Sequence, residues 1–88
     1  MKIEYSKTFE KSYKKKDMFV RNKFKEKLAL FIKNPFNKII DNHPLTWKYS
    51  WCRSIDITWD YRAIFKELSN WKYEFIEFIN IWTHSQLY

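Results

Sequence analysis

The sequence predicts an α+β fold in which an N-terminal strand and two helices pack on one face of an antiparallel meander sheet. Two observations predict it. Apolar side chains recur at helical spacing in the first half, and the second half holds three runs rich in β-branched and aromatic residues with very short breaks between them. With 88 residues, of which 45% are hydrophobic, the chain has room for one domain spanning 1–88.

The first half of the chain predicts one strand followed by two helices. Residues 2–6 predict a short strand, and a helix follows from Ser6 or Lys7. Asp17 is a typical N-cap for a second helix, which Asn34-Pro35 ends because the residue before proline avoids helical geometry. The apolar stripe of that helix comprises Val20, Phe24, Leu28, Phe31 and Ile32.

The second half has the two-residue period of strands. Residues 34–50 are expected to be irregular, with Ile39, Ile40 and Leu45 as anchors to the core. The three predicted strands are Cys52–Thr58, Tyr61–Leu68 and Lys72–Ile81. Alternation along the first of them puts Arg53 on the face opposite Asp56.

Charge is concentrated at one end of the chain. Residues 1–33 carry eleven Lys or Arg and four Asp or Glu, so the whole formal charge of +7 lies there, and residues 34–88 sum to zero. A one-sided basic field attracts a polyanion such as nucleic acid, although exposed lysines that only keep a small protein soluble, or an acidic protein partner, fit the same pattern.

Several classes are excluded by composition. No stretch approaches the roughly 20 apolar residues that span a bilayer, and the first residues lack the apolar run of a secretory signal. A single cysteine, Cys52, forms neither an internal disulfide nor a cysteine-based zinc site. A soluble, cytoplasmic protein without membrane contact is therefore expected.

Three strings in this order resemble the RelE/ParE superfamily of toxin–antitoxin toxins, and its YafQ-like branch in particular. They are Asn42-His43-Pro44-Leu45, the strand pair around RSIDITWD, and the terminal THSQLY, and the resemblance covers essentially the whole chain. It implies a small endoribonuclease (an mRNA interferase) that cuts mRNA, usually on the ribosome, and a cognate antitoxin that neutralises it. The alternatives are a ParE-like toxin that binds gyrase without cleaving RNA, and a catalytically impaired protein of the same fold.

RNA cleavage without a metal or other cofactor needs a base for the 2′-hydroxyl, a cation for the phosphorane and an acid for the leaving oxygen. The resemblance places His43, Asp60 and His84 on catalytic positions and Tyr88 on a substrate-holding aromatic. It also shows departures, because Asp56 stands where some relatives carry a further catalytic histidine and Ser54 where they carry aspartate. The assignment is His84 as acid, His43 or Asp56 as base, and Arg53 or Arg62 as phosphate clamp. Asp60 also fits an ordinary turn residue.

The tryptophans are unusual. The chain has five Trp and no Gly, whereas average usage of about 7% would give roughly six glycines. Asn70-Trp71 stands between two strands, where Asn-Gly is favoured because both residues need positive φ. The resemblance implies glycine at all five positions, which are Trp47, Trp51, Trp59, Trp71 and Trp82. Either glycine codons have been translated as tryptophan under the wrong genetic code, or the protein is Trp-rich. In the second case its loops tolerate the rings, or the rings stack on RNA bases.

Overall fold

A computed structural model describes residues 1–83 and 85 of the chain. Its sheet comprises β1 (Lys2–Tyr5), β2 (His43–Pro44), β3 (Arg53–Asp56), β4 (Tyr61–Glu67) and β5 (Phe75–Thr83). The helices are α1 (Lys7–Lys15) and α2 (Met18–Lys33), and two short 3₁₀ helices cover Lys38–Ile40 and Trp47–Tyr49.

Both helices begin where the sequence predicts. The Ser6 hydroxyl accepts a hydrogen bond from the Phe9 N–H at 3.0 Å, and the Asp17 carboxylate accepts one from the Val20 N–H at 3.0 Å. Each bond satisfies an N–H group that the first helical turn leaves without a partner. The predicted end of α2 is confirmed as well, since the helix stops at Lys33.

The sheet has the order β1-β5-β4-β3-β2. The predicted antiparallel meander is confirmed for β3, β4 and β5, and β2 adds an antiparallel edge. The strand β1 pairs with β5 in parallel, so the sheet as a whole is mixed. The third predicted strand begins three residues later than expected, at Phe75. Lys72 instead ends a turn, because its N–H donates a hydrogen bond to the Ser69 carbonyl.

The main core fills the space between the two helices and one face of the sheet, which we call the helix-covered face. Phenylalanine dominates it, with Phe31, Phe65 and Phe78 fully buried. Ile40 and Leu45 are buried as predicted, but the prediction for Ile39 was wrong, since that side chain is 61% exposed. A 3₁₀ helix has three residues per turn, so Lys38–Ile40 points only one of its side chains at the core.

A β-bulge in β5 changes which side chains face the core. Ile64 pairs with Asn80 and Phe65 pairs with Phe78, which leaves Ile79 as the extra residue. Up to the bulge the even-numbered Ile76 and Phe78 are in the main core, and after it the odd-numbered Ile81 takes that place. The bulge therefore turns the end of β5 by one residue and brings Trp82 onto the other face.

None of the helices within residues 1–83 and 85 is long and apolar enough to cross a membrane.

Candidate active site

The face of the sheet opposite the helices, which we call the open face, carries most of the residues that the sequence singled out. Directly opposed residues on neighbouring strands share a face, and Asp56 on β3 is opposite Arg62 on β4, which is opposite Trp82 on β5. In the next row His43 on β2 is opposite Ser54 on β3. The strand pairing therefore brings His43, Asp56 and Arg62 to one surface, although 19 positions separate His43 from Arg62.

Asp56 and Arg62 form an ion pair between Oδ1 and Nη1. The pair is partly buried, with 31% of the Asp56 side chain and 14% of the Arg62 side chain exposed. Burial raises the pKa of Asp56 above its ordinary value, and this effect outweighs the opposing charge of Arg62. The negative charge of Asp41 raises that pKa further, while His43 and Lys27 lower it.

Asp41 connects the ion pair to the histidine, and sequence reasoning missed it. Its carbonyl oxygen accepts a hydrogen bond from His43 Nδ1 at 2.8 Å, and its carboxylate lies 3.6 Å from His43 Nδ1 and 3.8 Å from Arg62 Nη1. Asp41 has φ 47°, a left-handed conformation that aspartate tolerates better than most residues. Its position two residues before a candidate catalytic histidine was the feature of the sequence that could have indicated Asp41.

The hydrogen bond to the Asp41 carbonyl fixes the chemistry of the His43 ring. A carbonyl only accepts, so Nδ1 carries the hydrogen, and in the neutral ring the lone pair is then on Nε2. This tautomer suits a general base that takes a proton through Nε2.

A groove lies beside the ion pair. It is lined by Asp56, Trp59, Asp60, Arg62 and Ser85 and has a volume of about 590 Å³, within the range of roughly 300–1,000 Å³ typical of ligand sites. Asp60 is exposed at its rim, and its N–H donates to the Thr58 hydroxyl as in a turn. Ser85, two residues after the end of β5, also lines the groove. His84 and Tyr88, two further predicted site residues, lie outside the described residues.

Arg53 is separated from this cluster. Its Nε donates to the Asn42 side-chain oxygen at 2.7 Å, and its guanidinium lies over the rings of Phe36 and Trp71. It shares the helix-covered face with Ile55, as alternation predicted. The structure therefore brings Arg62, and not Arg53, together with His43 and Asp56, and substrate binding by Arg53 stays a prediction.

Two lysines from α2 reach the neighbourhood of the site. Lys23 and Lys27 line a hollow of about 290 Å³ together with Asp56 and Trp59, which also line the groove. These two lysines could not be selected by sequence from the eleven basic residues of the first half, because the selection depends on how α2 crosses the sheet.

Cys52 is 1% exposed and belongs to a small apolar cluster with Leu45 and Ile64 on the open face. Burial raises the pKa of its thiol to about 11, so it is protonated and unreactive at neutral pH. Among residues 1–83 and 85, no three His, Cys, Asp or Glu side chains are grouped as metal ligands.

Several solved toxin structures have the same fold as this chain. YafQ from E. coli is 29% identical, with a TM-score of 0.74 over 99% of this chain and 97% of its own. The chain is therefore similar, in fold and over nearly its whole length, to YafQ and the RelE/ParE-type toxins. In the E. coli DinJ-YafQ toxin-antitoxin complex, the matching chain is 28% identical, with a TM-score of 0.71 over 99% of this chain and 96% of that one.

The fold extends to more distant relatives. The YoeB/ParE toxin from Agrobacterium tumefaciens is 19% identical, with a TM-score of 0.75 over 96% of this chain and 99% of that one, and this likeness concerns the fold alone. No protein-family model and no curated protein sequence matches the chain. The resemblance read from the three sequence strings is thus confirmed by structure, and the roles of individual site residues remain predictions.

Proposed function

We propose that this protein is the toxin of a toxin–antitoxin pair and acts as an endoribonuclease that cleaves mRNA, on the ribosome. The observation that carries the proposal is the cluster of His43, Asp41, Arg62 and Asp56 beside an open groove. It contains a base and a cation held by carboxylates, which are two of the three groups that metal-independent RNA cleavage requires.

The chemistry follows from these positions. His43 Nε2 takes the proton of a 2′-hydroxyl, and the resulting oxygen attacks the adjacent phosphorus. The Arg62 guanidinium stabilises the charge that develops on the phosphorane oxygens. The bond from phosphorus to the 5′-oxygen then breaks, and a general acid protonates that oxygen to leave a 2′,3′-cyclic phosphate and a 5′-hydroxyl. The family resemblance assigns this acid to His84.

Between the two candidate bases, we assign His43. Asp56 is already bound to Arg62, so its carboxylate serves to orient the guanidinium. His43 has its Nδ1 side fixed by the Asp41 carbonyl, so in the neutral ring Nε2 carries the lone pair that can take a proton.

The partner is an antitoxin. The supporting observation is that the matching chain of E. coli occurs in a complex with DinJ. An antitoxin with an acidic segment would complement the basic helices of this chain, whose surplus of positive charge lies in residues 1–33.

The test is cleavage of mRNA on translating ribosomes by the purified protein, with the new 5′ ends mapped and a chelator present throughout. We expect cleavage by the unmodified chain, and a loss of about 10²–10⁴-fold for His43→Ala, which is the usual contribution of a general base. Asp56→Asn should retain more activity than His43→Ala. Lys72→Ala, on the exposed β4–β5 turn, is the control variant.

Three outcomes would contradict the proposal. Intact mRNA together with inhibited gyrase would establish the ParE-like alternative. Intact mRNA without any effect on gyrase would indicate the catalytically impaired alternative. Full activity of His43→Ala would remove His43 from the mechanism even if RNA is cleaved.

A further inference from the structure

Two of the five tryptophans have a backbone conformation that favours glycine. Trp47 has φ 60° and Trp71 has φ 67°. For residues with a β-carbon this left-handed region is restricted by contact with the following carbonyl, and a bulky residue there is an outlier. Glycine enters it at no steric cost.

The turn around Trp71 is the clearest case. The Lys72 N–H donates to the Ser69 carbonyl, which closes a four-residue turn with Asn70 and Trp71 at its centre. Both central residues have positive φ, 55° and 67°, which defines a type I′ turn. Asn-Gly is the strongly preferred pair for this turn, because asparagine tolerates the first position and glycine the second.

Tyr73 is a large residue with positive φ whose conformation is stabilised by hydrogen bonds and packing. Its φ is 57°, but its N–H donates to the Glu67 carboxylate, its hydroxyl accepts from Asn42, and its ring packs on Phe31 and Phe65. Trp47 has the same backbone conformation with a side chain that is 91% exposed. Packing therefore explains Tyr73 and does not explain Trp47.

Trp51 and Trp59 are exposed, although the Trp51 indole N–H donates to the Lys48 carbonyl and its ring lies under the Lys66 ammonium. Trp59 is 98% exposed in the turn between β3 and β4, and Trp51 is more than half exposed. Tryptophan is on average a highly buried residue, so four exposed Trp in one short chain are unusual. The chain also has no glycine in any of its turns.

Trp82 is different because its ring packs against Tyr49 on the open face. Glycine inside a strand often marks a place where a ligand or another backbone comes close. Position 82 is directly opposite Arg62. If the proposed function holds, a glycine there would leave room for an RNA strand beside the guanidinium.

We propose that the organism that makes this protein places glycine at positions 47, 51, 59, 71 and 82. Tryptophan stands at these positions because one codon has been translated under a genetic code that the organism does not use. The stop codon UGA fits, since some genetic codes read it as tryptophan and others as glycine. The site would then be more open at position 82 than the written sequence makes it.

The deciding experiment is the intact mass of the protein isolated from its own organism, together with peptide sequencing across the five positions. We expect a mass lower than that of the sequence with five tryptophans by five exchanges of an indolylmethyl group for a hydrogen atom. We also expect no tryptophan fluorescence. A native mass that matches five tryptophans overturns the proposal, whatever the protein's activity. This measurement does not depend on RNA cleavage, so its failure is separate from a failure of the proposed function.

A second experiment tests the conformational argument with recombinant protein. Trp47→Gly/Trp71→Gly, at the two left-handed positions, should raise the midpoint of thermal unfolding. Trp51→Gly/Trp59→Gly is the matched control, with ordinary φ at both positions, and should leave the midpoint unchanged or lower it because glycine adds freedom to the unfolded chain. A lower midpoint for Trp47→Gly/Trp71→Gly would count against the proposal.

Discussion

Asp41 is the residue through which the charges of the candidate site are coupled. Its carbonyl orients the His43 ring, and its carboxylate lies within 4 Å of both His43 and Arg62. The carboxylate also acts on Asp56, whose pKa it raises by adding a second negative charge to a partly buried site. One exposed side chain thus affects His43, Arg62 and Asp56.

Replacing Asp41 by Asn should lower the pKa of Asp56. The negative charge is removed, and negative charge is one of the causes that raise this pKa, so the carboxyl becomes easier to ionise. NMR titration of the Asp56 carboxyl carbon measures the change. The cost in stability should be small, about 0.5 kcal/mol or less, because Asp41 is exposed and asparagine tolerates its left-handed φ.

Asp60→Asn is the control for that titration. Asp60 lines the same groove, but its charge is not among the causes of the Asp56 shift. An Asp56 titration that is the same in Asp41→Asn and in the unmodified protein would show that the two carboxylates are not coupled.

The turn between β4 and β5 is organised by Glu67. Its carboxylate accepts hydrogen bonds from the hydroxyl and N–H of Ser69 and from the N–H groups of Trp71 and Tyr73. Partial burial alone would raise the pKa of Glu67, but these hydrogen bonds outweigh it and the pKa is lowered. One carboxylate therefore stabilises a turn in which Asn70, Trp71 and Tyr73 all have positive φ.

Glu67→Gln should destabilise the fold by about 1–2 kcal/mol at neutral pH, since a neutral amide accepts these bonds more weakly than a carboxylate does. The loss should depend on pH. A lowered folded-state pKa means that the stabilisation is fully present above the unfolded-state pKa and is lost as the pH falls through the folded-state value. The difference between the variant and the unmodified protein should therefore shrink in acid.

Urea unfolding at a series of pH values measures this difference. Glu74→Gln is the matched control, because Glu74 is an exposed glutamate just before β5. If the two variants unfold at the same urea concentration at neutral pH, the carboxylate of Glu67 has no special role in the turn.

The elements were predictable where the signal is local. Ser6 and Asp17 cap the helices, and Asn70-Trp71 forms the predicted tight turn, because a few adjacent residues decide each of these features. The bulge at Ile79 was not predictable from alternation, since an extra residue in one strand is defined only by pairing with β4. It decides that position 82, rather than 81, faces Arg62.

The candidate site was predictable only in part for the same reason. The sequence singled out His43, Asp56 and, as one of two candidate arginines, Arg62, and the structure brings these three together. It could not select Asp41 or the pair Lys23 and Lys27. Their relevance depends on a left-handed turn and on the path of α2 across the sheet, and both are tertiary features.

At the scale of the whole molecule, the positive charge and the site are on different sides of the sheet. The surplus of seven charges belongs to residues 1–33, which form β1 and the helical layer, whereas the groove is beside the open face. Lys23 and Lys27 lie near Asp56, while Lys14 and Lys25 line a cleft between the two helices. If the proposed function holds, the general field attracts RNA, and of these two pairs Lys23 and Lys27 share a hollow with Asp56 and Trp59, which also line the groove.

The double variant Lys23→Ala/Lys27→Ala should therefore weaken RNA binding more than Lys14→Ala/Lys25→Ala, although both remove two positive charges from the helical half. Each lysine that contacts a phosphate contributes about 0.7 to the slope of log affinity against log salt for a single strand. The first variant should reduce that slope by roughly 1.4, and the second should change it little. Titration of labelled single-stranded RNA at several salt concentrations measures both slopes. Equal losses in the two variants would mean that RNA responds to the overall charge alone, and the groove would then lose its support as the place where the strand is held.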